Sequence, residues 1–293
     1  MSLRKHCFLL LLALIQPHAY AQNSSQVTTS TRVAVVLGGG GALGYAHIGV
    51  LQALDEAGIR PTYVAGTSMG ALVGVLYAAG YSGEELLQIV REYKLTSTTG
   101  GINLSGKNSR RGLSNFARVR KMLNEKLPTN SFDSLSIPFA CTASDVQSGQ
   151  LVIRHEGGQL TDWVLASASI PGIFQPQLID NTYYCDGGLM DNLPVAAIPD
   201  SVADIVIAID LVPTAEPATE IYFSKEYSMV NVYGNFLLRQ MSRVGCAKAD
   251  VVIRPNTETQ YGIMDFSQYQ YFYQHGYNTM KAWLNEHFIF TRE

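Results

Sequence analysis

The sequence has few cysteines and no long hydrophobic run. Cys7 lies in a candidate N-terminal leader, so three of the four cysteines remain, Cys141, Cys185 and Cys246. Such an odd and sparse set argues against a disulfide framework and favours buried thiols. No stretch reaches the roughly 20 apolar residues that a membrane-spanning helix needs. These shortages exclude a disulfide-stabilised scaffold and a polytopic membrane protein.

Charge is also scarce, with 15% charged residues and a formal net charge of -3. Removing Arg4 and Lys5 with the leader changes the net charge from -3 to -5. A mildly acidic chain of this kind is a poor binder of nucleic acid, so no such partner is expected. The length of 293 residues and the 47% hydrophobic content instead predict a large globular domain.

The N-terminus has the pattern of a secretory signal peptide. Arg4 and Lys5 precede the apolar run FLLLLALI at residues 8–15, and an A-x-A cleavage pattern ends at Ala21. We therefore expect a signal peptide at residues 1–21, a polar lead-in at 22–31 and export to the periplasm or medium. The remaining domain is predicted to span residues 32–290.

Short apolar stretches alternate with segments of helical periodicity along this domain. Strands are predicted at residues 33–37, 62–65, 139–143, 150–154, 183–185, 204–211 and 250–254. Helices are predicted between them, near residues 46–57, 69–79, 84–94, 113–126, 160–168, 224–244 and 268–286. The alternation predicts an α/β fold with a mostly parallel sheet covered by helices on both faces.

A G-x-S-x-G motif, Gly66-Thr67-Ser68-Met69-Gly70, lies between a predicted strand and a predicted helix. At such a sharp turn the central serine is exposed, and the flanking glycines let neighbouring chain pass close by. The helix N-terminus favours developing negative charge beside Ser68. The pattern indicates a nucleophile, and a helix N-cap serine is the simpler alternative.

A serine nucleophile needs a base. Asp186 ends a short predicted strand and is followed by Gly187 and Gly188, which free the backbone to turn. An Asp-Gly turn is common by itself. The four histidines of the domain lie within or beside predicted elements and are weaker candidates: His47, His155, His275 and His287.

Four consecutive glycines follow the first strand, in LGGGGALG at residues 37–44. The spacing of Gly39, Gly41 and Gly44 also matches a dinucleotide-binding fingerprint. A dinucleotide-binding site would need an acidic residue after the second strand, where this sequence has GTSMG. A Walker phosphate-binding loop would need Gly-Lys-Ser/Thr, which the glycine stretch does not contain. The loop is therefore interpreted as an oxyanion hole, which needs exposed backbone N–H groups, or as a plain tight turn.

In this order the three motifs resemble the patatin-like phospholipase family, as does SASIPGIFQP at 167–176. The resemblance covers about residues 32–285 and implies a three-layer α/β/α fold. It also implies an enzyme that releases fatty acids from glycerolipid esters through an acyl-enzyme. It implies no metal and no cofactor. It assigns Ser68 as nucleophile, Asp186 as base (directly or through a water) and the backbone of Gly39, Gly40 and Gly41 as oxyanion hole. Five further glycines would support the motifs: Gly44, Gly66, Gly70, Gly187 and Gly188.

Family members usually carry Arg or Lys where this sequence has Leu43. The exchange leaves open whether phospholipids, neutral lipids or lysolipids are hydrolysed. Two alternatives stay open as well: an α/β-hydrolase-type esterase with a Ser–Asp–His triad, for which His275 is the candidate base, and a catalytically impaired lipid-binding protein.

The expected partner is membrane or micellar lipid. Residues 91–126 contain nine Lys or Arg against Glu92 and Glu125, a local charge of +7. This segment is predicted to contact anionic lipid, with an ordinary solvated helix face as the alternative. The aromatic stretch at residues 269–277 either lines the acyl site or packs in the core.

Overall fold

A computed structural model describes residues 20–21, 31–95, 116–212, 229–255 and 261–287. The expected signal peptide and lead-in lie almost entirely outside these residues. Tyr20 and Ala21 are described, and they pair with the edge of the sheet. Cleavage after Ala21 stays a prediction, and it would remove this short edge strand.

One nine-stranded sheet runs through the described residues. Its strands are β1 (Tyr20–Ala21), β2 (Val33–Leu37), β3 (Tyr63–Gly66), β4 (Phe139–Asp145), β5 (Leu151–Arg154), β6 (Gln177–Ile179), β7 (Thr182–Asp186), β8 (Ile205–Ile209) and β9 (Val251–Ile253). Their order is β1-β9-β8-β2-β3-β4-β7-β6, and β5 pairs with β4. The central strands β9, β8, β2, β3 and β4 are parallel, and β1, β5, β6 and β7 pair antiparallel.

Seven α-helices are described: α1 (Tyr45–Glu56), α2 (Met69–Ala78), α3 (Gly83–Glu92), α4 (Ala117–Lys126), α5 (Leu160–Ser167), α6 (Met229–Lys248) and α7 (Tyr269–His287). Most predicted elements are confirmed within two or three residues. The predicted end of α6 at Val244 is wrong, because the helix continues through Gly245 to Lys248. Gly245 lies so close to Leu193 that a side chain would overlap it, so this glycine serves packing and does not end the helix.

Strand β2 explains why the sheet is covered on both faces. All five of its residues are buried. Val33, Val35 and Leu37 join the larger core cluster, and Ala34 and Val36 join a second cluster on the opposite face. Because successive strand residues point to opposite faces, an uninterrupted apolar run requires a layer on each side. The expected three-layer α/β/α architecture is confirmed.

The aromatic stretch at residues 269–277 belongs to the contact between α7 and α1. The two helices are in backbone contact at Gly49 and Gly276. A side chain at either position would overlap the backbone of the other helix. Tyr273 donates a hydrogen bond to Gln52, and Tyr277 donates one to Glu56 at 2.8 Å. Core packing, the second of the two expectations for this stretch, is therefore correct.

The cysteines are free thiols, with Cys141 and Cys185 buried and Cys246 half-buried. Burial raises the pKa of the Cys185 thiol to about 11. Within the described ranges, the structure contains no helix that is both long and apolar enough to span a bilayer.

The close approach of α2 to β2 gives a stability prediction. A Cβ on Gly70 would overlap the Leu37 carbonyl oxygen, whereas one on Gly234, inside α6, would meet nothing within 4 Å. Gly70→Ala should lower the free energy of unfolding by about 1–3 kcal/mol. The control Gly234→Ala should leave it unchanged or raise it by up to about 1 kcal/mol. Urea denaturation measures both, and equal effects would contradict the packing.

Candidate active site

Ser68 occupies a strained turn between β3 and α2. Its backbone has φ 57° and ψ -123°, a conformation that non-glycine residues rarely adopt. The Ser68 N–H donates to the Ser167 hydroxyl at 2.9 Å, which fixes the turn from α5. The serine stands at the N-terminus of α2, as the G-x-S-x-G motif predicts. Only 5% of Ser68 is exposed, so a substrate could reach the side chain only by entering a cavity.

The register of the sheet brings Asp186 level with Ser68. Gly66, the last residue of β3, pairs with Cys141, and Asp186, the last residue of β7, pairs with Ala143. Ser68 and Ala143 each lie two residues beyond the pair of Gly66 and Cys141. The antiparallel strand β7 therefore delivers its final carboxylate to the same edge of the sheet as the serine.

The two side chains touch. The Ser68 hydroxyl donates to Asp186 Oδ2 at 2.6 Å, a length typical of a charge-assisted hydrogen bond. The other carboxylate oxygen, Oδ1, accepts the Gly188 N–H at 2.8 Å, which fixes the orientation of the group. Burial raises the Asp186 pKa to about 6, against the lowering effect of these two hydrogen bonds. The Asp-Gly-Gly turn thus holds a buried carboxylate whose pKa is unusually high.

The glycine loop lies directly beside the serine. A Cβ on Gly39 would be only 3.1 Å from the Ser68 Cβ. The Gly39 N–H donates to the Asn192 carbonyl at 3.1 Å, so this amide is already engaged. The N–H groups of Gly40 and Gly41 have no backbone acceptor within the described residues. Of the three amides predicted from sequence, the Gly39 amide is thus engaged by the protein itself, which leaves Gly40 and Gly41 as the candidates for an oxyanion hole.

The remaining motif glycines make close contacts at the same point. A side chain on Gly44 would overlap Met69, one on Gly66 would lie 2.5 Å from the Gly70 carbonyl oxygen, and one on Gly187 would overlap Thr142. Gly41 also has φ 55°, in the left-handed region. The glycines are therefore required by the approach of one backbone segment to the next.

Asn192 is a site residue that sequence reasoning missed. It is fully buried, and its side-chain N–H₂ donates to the Gly39 carbonyl at 3.3 Å and to the Ser242 hydroxyl at 3.0 Å. Its backbone carbonyl accepts from Gly39 as well. Asn192 thus ties the glycine loop to α6. The only signal in the sequence was an amide five residues after Gly187, and surface loops carry such residues just as often.

No histidine contacts Ser68 or Asp186 in the described part of the chain. The nearest to the glycine loop, His47, is fully buried with its Nε2 bonded to the Gly38 carbonyl at 2.7 Å. Burial lowers its pKa to about 4, which keeps the ring neutral. His275, the alternative base, is bonded through Nδ1 to the Tyr271 carbonyl at 2.8 Å.

An apolar cavity of about 1030 Å³, counted with its opening to solvent, begins at the serine. Ser68 and Gly41 both line it. Along α2 its wall consists of Met69, Leu72, Val73 and Leu76, which share one helix face at i, i+3, i+4 and i+7. Helices α3 and α4 supply further lining residues: Leu86, Ile89, Val90, Val119 and Met122. The site therefore combines a buried hydroxyl–carboxylate pair with an adjoining apolar cavity.

The raised Asp186 pKa gives a stability prediction with a definite sign. Between about pH 4 and pH 6 the native carboxyl binds a proton more tightly than the unfolded chain does. Its contribution is therefore fully present below pH 4 and is lost as the pH rises through 6. Asp186→Asn should be more stable than wild type at pH 8, by up to about 3 kcal/mol, and the difference should close toward pH 4.

Denaturant melts from pH 4 to 8 measure this difference. Asp180→Asn, on the exposed turn between β6 and β7, is the matched control. A pH-independent difference for Asp186→Asn would show that burial does not destabilise the charged form.

Comparison with known proteins agrees with these motifs. The family profile described as patatin-like phospholipase matches residues 35–198. An uncharacterised NTE family protein of Mycobacterium tuberculosis is 37% identical over 184 residues, covering 63% of this chain and 50% of its own length. Lysophospholipase NTE1 of Coccidioides immitis is 27% identical over 292 residues, covering 86% of this chain and 18% of its own.

Among solved structures, VipD from Legionella pneumophila matches with a TM-score of 0.50 at 15% identity, over 88% of this chain and 67% of its own. This similarity concerns the fold alone. The chain spans about half the length of the mycobacterial relative and less of the fungal one. The profile match covers the glycine loop, the serine turn and the Asp-Gly-Gly turn together. This chain belongs to the patatin-like phospholipase family.

Proposed function

We propose that this protein is a serine hydrolase of lipid acyl esters, of the phospholipase A or lysophospholipase type, which releases free fatty acids. The observation that carries the proposal is the 2.6 Å hydrogen bond from the Ser68 hydroxyl to Asp186, at the head of an apolar cavity. The similarity to the fungal lysophospholipase supports a glycerolipid substrate with a single acyl chain. The apolar cavity at the serine fits such a substrate.

The proposed reaction has two steps. Asp186 accepts the Ser68 proton while the serine Oγ attacks the ester carbonyl. The oxyanion of the tetrahedral intermediate accepts hydrogen bonds from the N–H groups of Gly40 and Gly41. Collapse expels the alcohol, which takes up the proton, and leaves an acyl-enzyme. Water, deprotonated by Asp186, then hydrolyses that ester, releases the fatty acid and restores the serine.

Two features of Asp186 support its role as the base. Its pKa of about 6 is closer to neutral pH than that of an ordinary aspartate, so proton transfer from serine is less uphill. The Gly188 N–H holds the second carboxylate oxygen, so that Oδ2 alone faces the hydroxyl.

The observations weigh against the two alternatives. A triad would need an imidazole at the serine, and in the described residues Asp186 holds that position. Leu43 is 3% exposed and its N–H donates to the Gly40 carbonyl at 3.1 Å, so it packs in the core and supports the loop. Leucine in place of the family's usual basic residue leaves the hydroxyl–carboxylate pair intact, which argues against an impaired protein.

The expected environment follows from the same proposal. We infer from the predicted signal peptide that the enzyme acts in the periplasm or medium. Its partner would be membrane or micellar lipid, and it would need no nucleic acid, metal or cofactor.

Substitution of the pair tests the chemistry. Ser68→Ala and Asp186→Ala should each lower kcat/KM for a soluble butyrate ester by at least about a thousandfold. His275→Ala should leave it unchanged, because that ring serves the α7 backbone. A fluorophosphonate probe should label wild type at Ser68. Loss of activity in the His275 variant as well as in the Ser68 variant would favour a triad, and absence of labelling would favour an impaired protein.

The cavity predicts control of acyl-chain length by Leu76. This residue lies eight positions beyond Ser68 on α2, about 12 Å along the helix axis. Leu76→Phe should shorten the cavity and lower kcat/KM for palmitoyl esters about tenfold or more, leaving butyryl esters unaffected. Hydrolysis of a series of acyl esters measures this. An equal loss for both chain lengths would mean that the cavity does not hold the acyl chain.

A further inference from the structure

An exposed apolar surface flanks the catalytic carboxylate, and the reaction does not use it. It consists of Leu189, Met190, Phe236, Leu237 and Val244, which are between 44% and 62% exposed, and is called the α6 surface here. Leu189 lies three residues after Asp186. Several large hydrophobic side chains exposed on one helix and the turn it contacts mark an interaction site more often than scattered ones do.

Helix α6 joins this surface to the site. On its inner side, Leu238 would lie 3.5 Å from a Cβ on Gly188, and Ser242 bonds to Asn192. Phe236, Leu237 and Val244 are exposed, away from the side formed by Leu238 and Ser242. Leu237 and Val244 are two helical turns apart and therefore share one face of α6. The outer side of α6 is therefore apolar at the point where its inner side holds the Asp-Gly-Gly turn.

The charges on α6 have one sign. The helix sequence contains three basic residues, Arg239, Arg243 and Lys248, and no acidic residue. Arg243 and Lys248 are exposed. Arg243 donates to Gln240 Oε1 at 3.3 Å, and Lys248 lies near Asp191, where burial raises the pKa of the carboxyl and the Lys248 charge partly offsets that rise. A helix that carries apolar side chains beside Lys and Arg has the composition of one that lies in the interface of an anionic membrane.

A second exposed apolar cluster lacks this charge. Val146, Leu178 and Tyr183 are between 36% and 57% exposed and lie together where β6 pairs with β7. Asp145 and the exposed Asp180 flank them. Anionic headgroups would be repelled there, so of these two clusters in the described part of the chain the α6 surface is the one that combines apolar exposure with positive charge.

The basic segment at residues 91–126 is less available than its composition suggests. Arg120 pairs with Asp162 at 2.5 Å, Lys126 with Glu92 at 2.9 Å, and Lys121 lies 3.8 Å from Glu125. Arg118 donates to the Lys94 carbonyl at 3.3 Å. Lys107, Arg110 and Arg111 lie outside the described residues. The expected lipid contact of this segment stays a prediction, with several of its cations already engaged.

We propose that the α6 surface binds anionic lipid bilayers and seats the catalytic turn against the membrane. The inference rests on the proposed lipid substrate only for its purpose, since binding itself needs no catalysis. Phe236 and Leu237 would enter the acyl boundary while Arg243 and Lys248 meet headgroup phosphates. The membrane would then lie beside the residues that follow Asp186.

Vesicle flotation tests the surface. The probes are vesicles of phosphatidylcholine alone and of phosphatidylcholine with phosphatidylglycerol, and Ser68→Ala keeps the lipid intact. In that background, Phe236→Ser/Leu237→Ser should weaken binding to the anionic vesicles about tenfold or more. Arg243→Gln/Lys248→Gln should weaken it by a similar factor on anionic vesicles and have no effect on phosphatidylcholine. Val146→Ser/Leu178→Ser is the matched control and should bind as wild type does.

The outcomes separate this inference from the proposed function. With Ser68 restored, the α6 variants should hydrolyse a soluble butyrate ester at the wild-type rate, which also shows that they fold. If wild type binds vesicles but hydrolyses no ester, the proposed function fails and the surface stands. Vesicle binding that the α6 substitutions leave intact overturns the inference. So does a dimer that Phe236→Ser/Leu237→Ser dissociates without loss of vesicle binding, because a second copy would then be the partner.

Discussion

The contact between the Ser68 hydroxyl and the Asp186 carboxylate constrains the rest of the structure. It is buried, so both groups must be held by neighbours, and each is held from a different element. Ser167 on α5 fixes the serine backbone, and Gly188 fixes the carboxylate. The two residues meet because parallel β3 and antiparallel β7 pair with β4 at adjacent registers. A slip of one residue in either pairing would turn one side chain to the other face of the sheet.

The same constraint accounts for the glycines. Three backbone segments, the loop after β2, the serine turn and the Asp-Gly-Gly turn, must all approach one small volume. At Gly39 and Gly70 a side chain would fill the space that a neighbouring residue occupies. Asn192 completes the arrangement, because it hydrogen-bonds the glycine loop through both its backbone and its side chain. The glycine loop is therefore fixed by a residue from the segment that follows Asp186.

Much of this was predictable from local sequence. The apolar run of β2, the turn at Ser68 and the Asp-Gly-Gly motif each carry their own signal, and each was placed correctly. The pairing of β4 with β7, the engagement of the Gly39 amide by Asn192 and the ion pairs of α4 were not predictable. These depend on residues far apart in the chain, such as Arg120 and Asp162, and no local pattern encodes which partner is chosen. The end of α6 was mispredicted for the same reason, since Leu193 decides the role of Gly245.

In the proposed reaction, burial would give Asp186 the proton-accepting role that an imidazole has in a catalytic triad. An exposed aspartate has too low a pKa to accept a proton from serine readily, whereas desolvation moves the Asp186 pKa to about 6. That gain has a cost, because a buried carboxylate destabilises the native state wherever it is ionised, by about 1.4 kcal/mol per unit of pKa shift. The strained backbone of Ser68 adds a further cost. Both costs fall at the edge of a sheet whose central strand is wholly buried between two layers. The large core on both faces is thus what allows a charged, strained pair to be held in an apolar site.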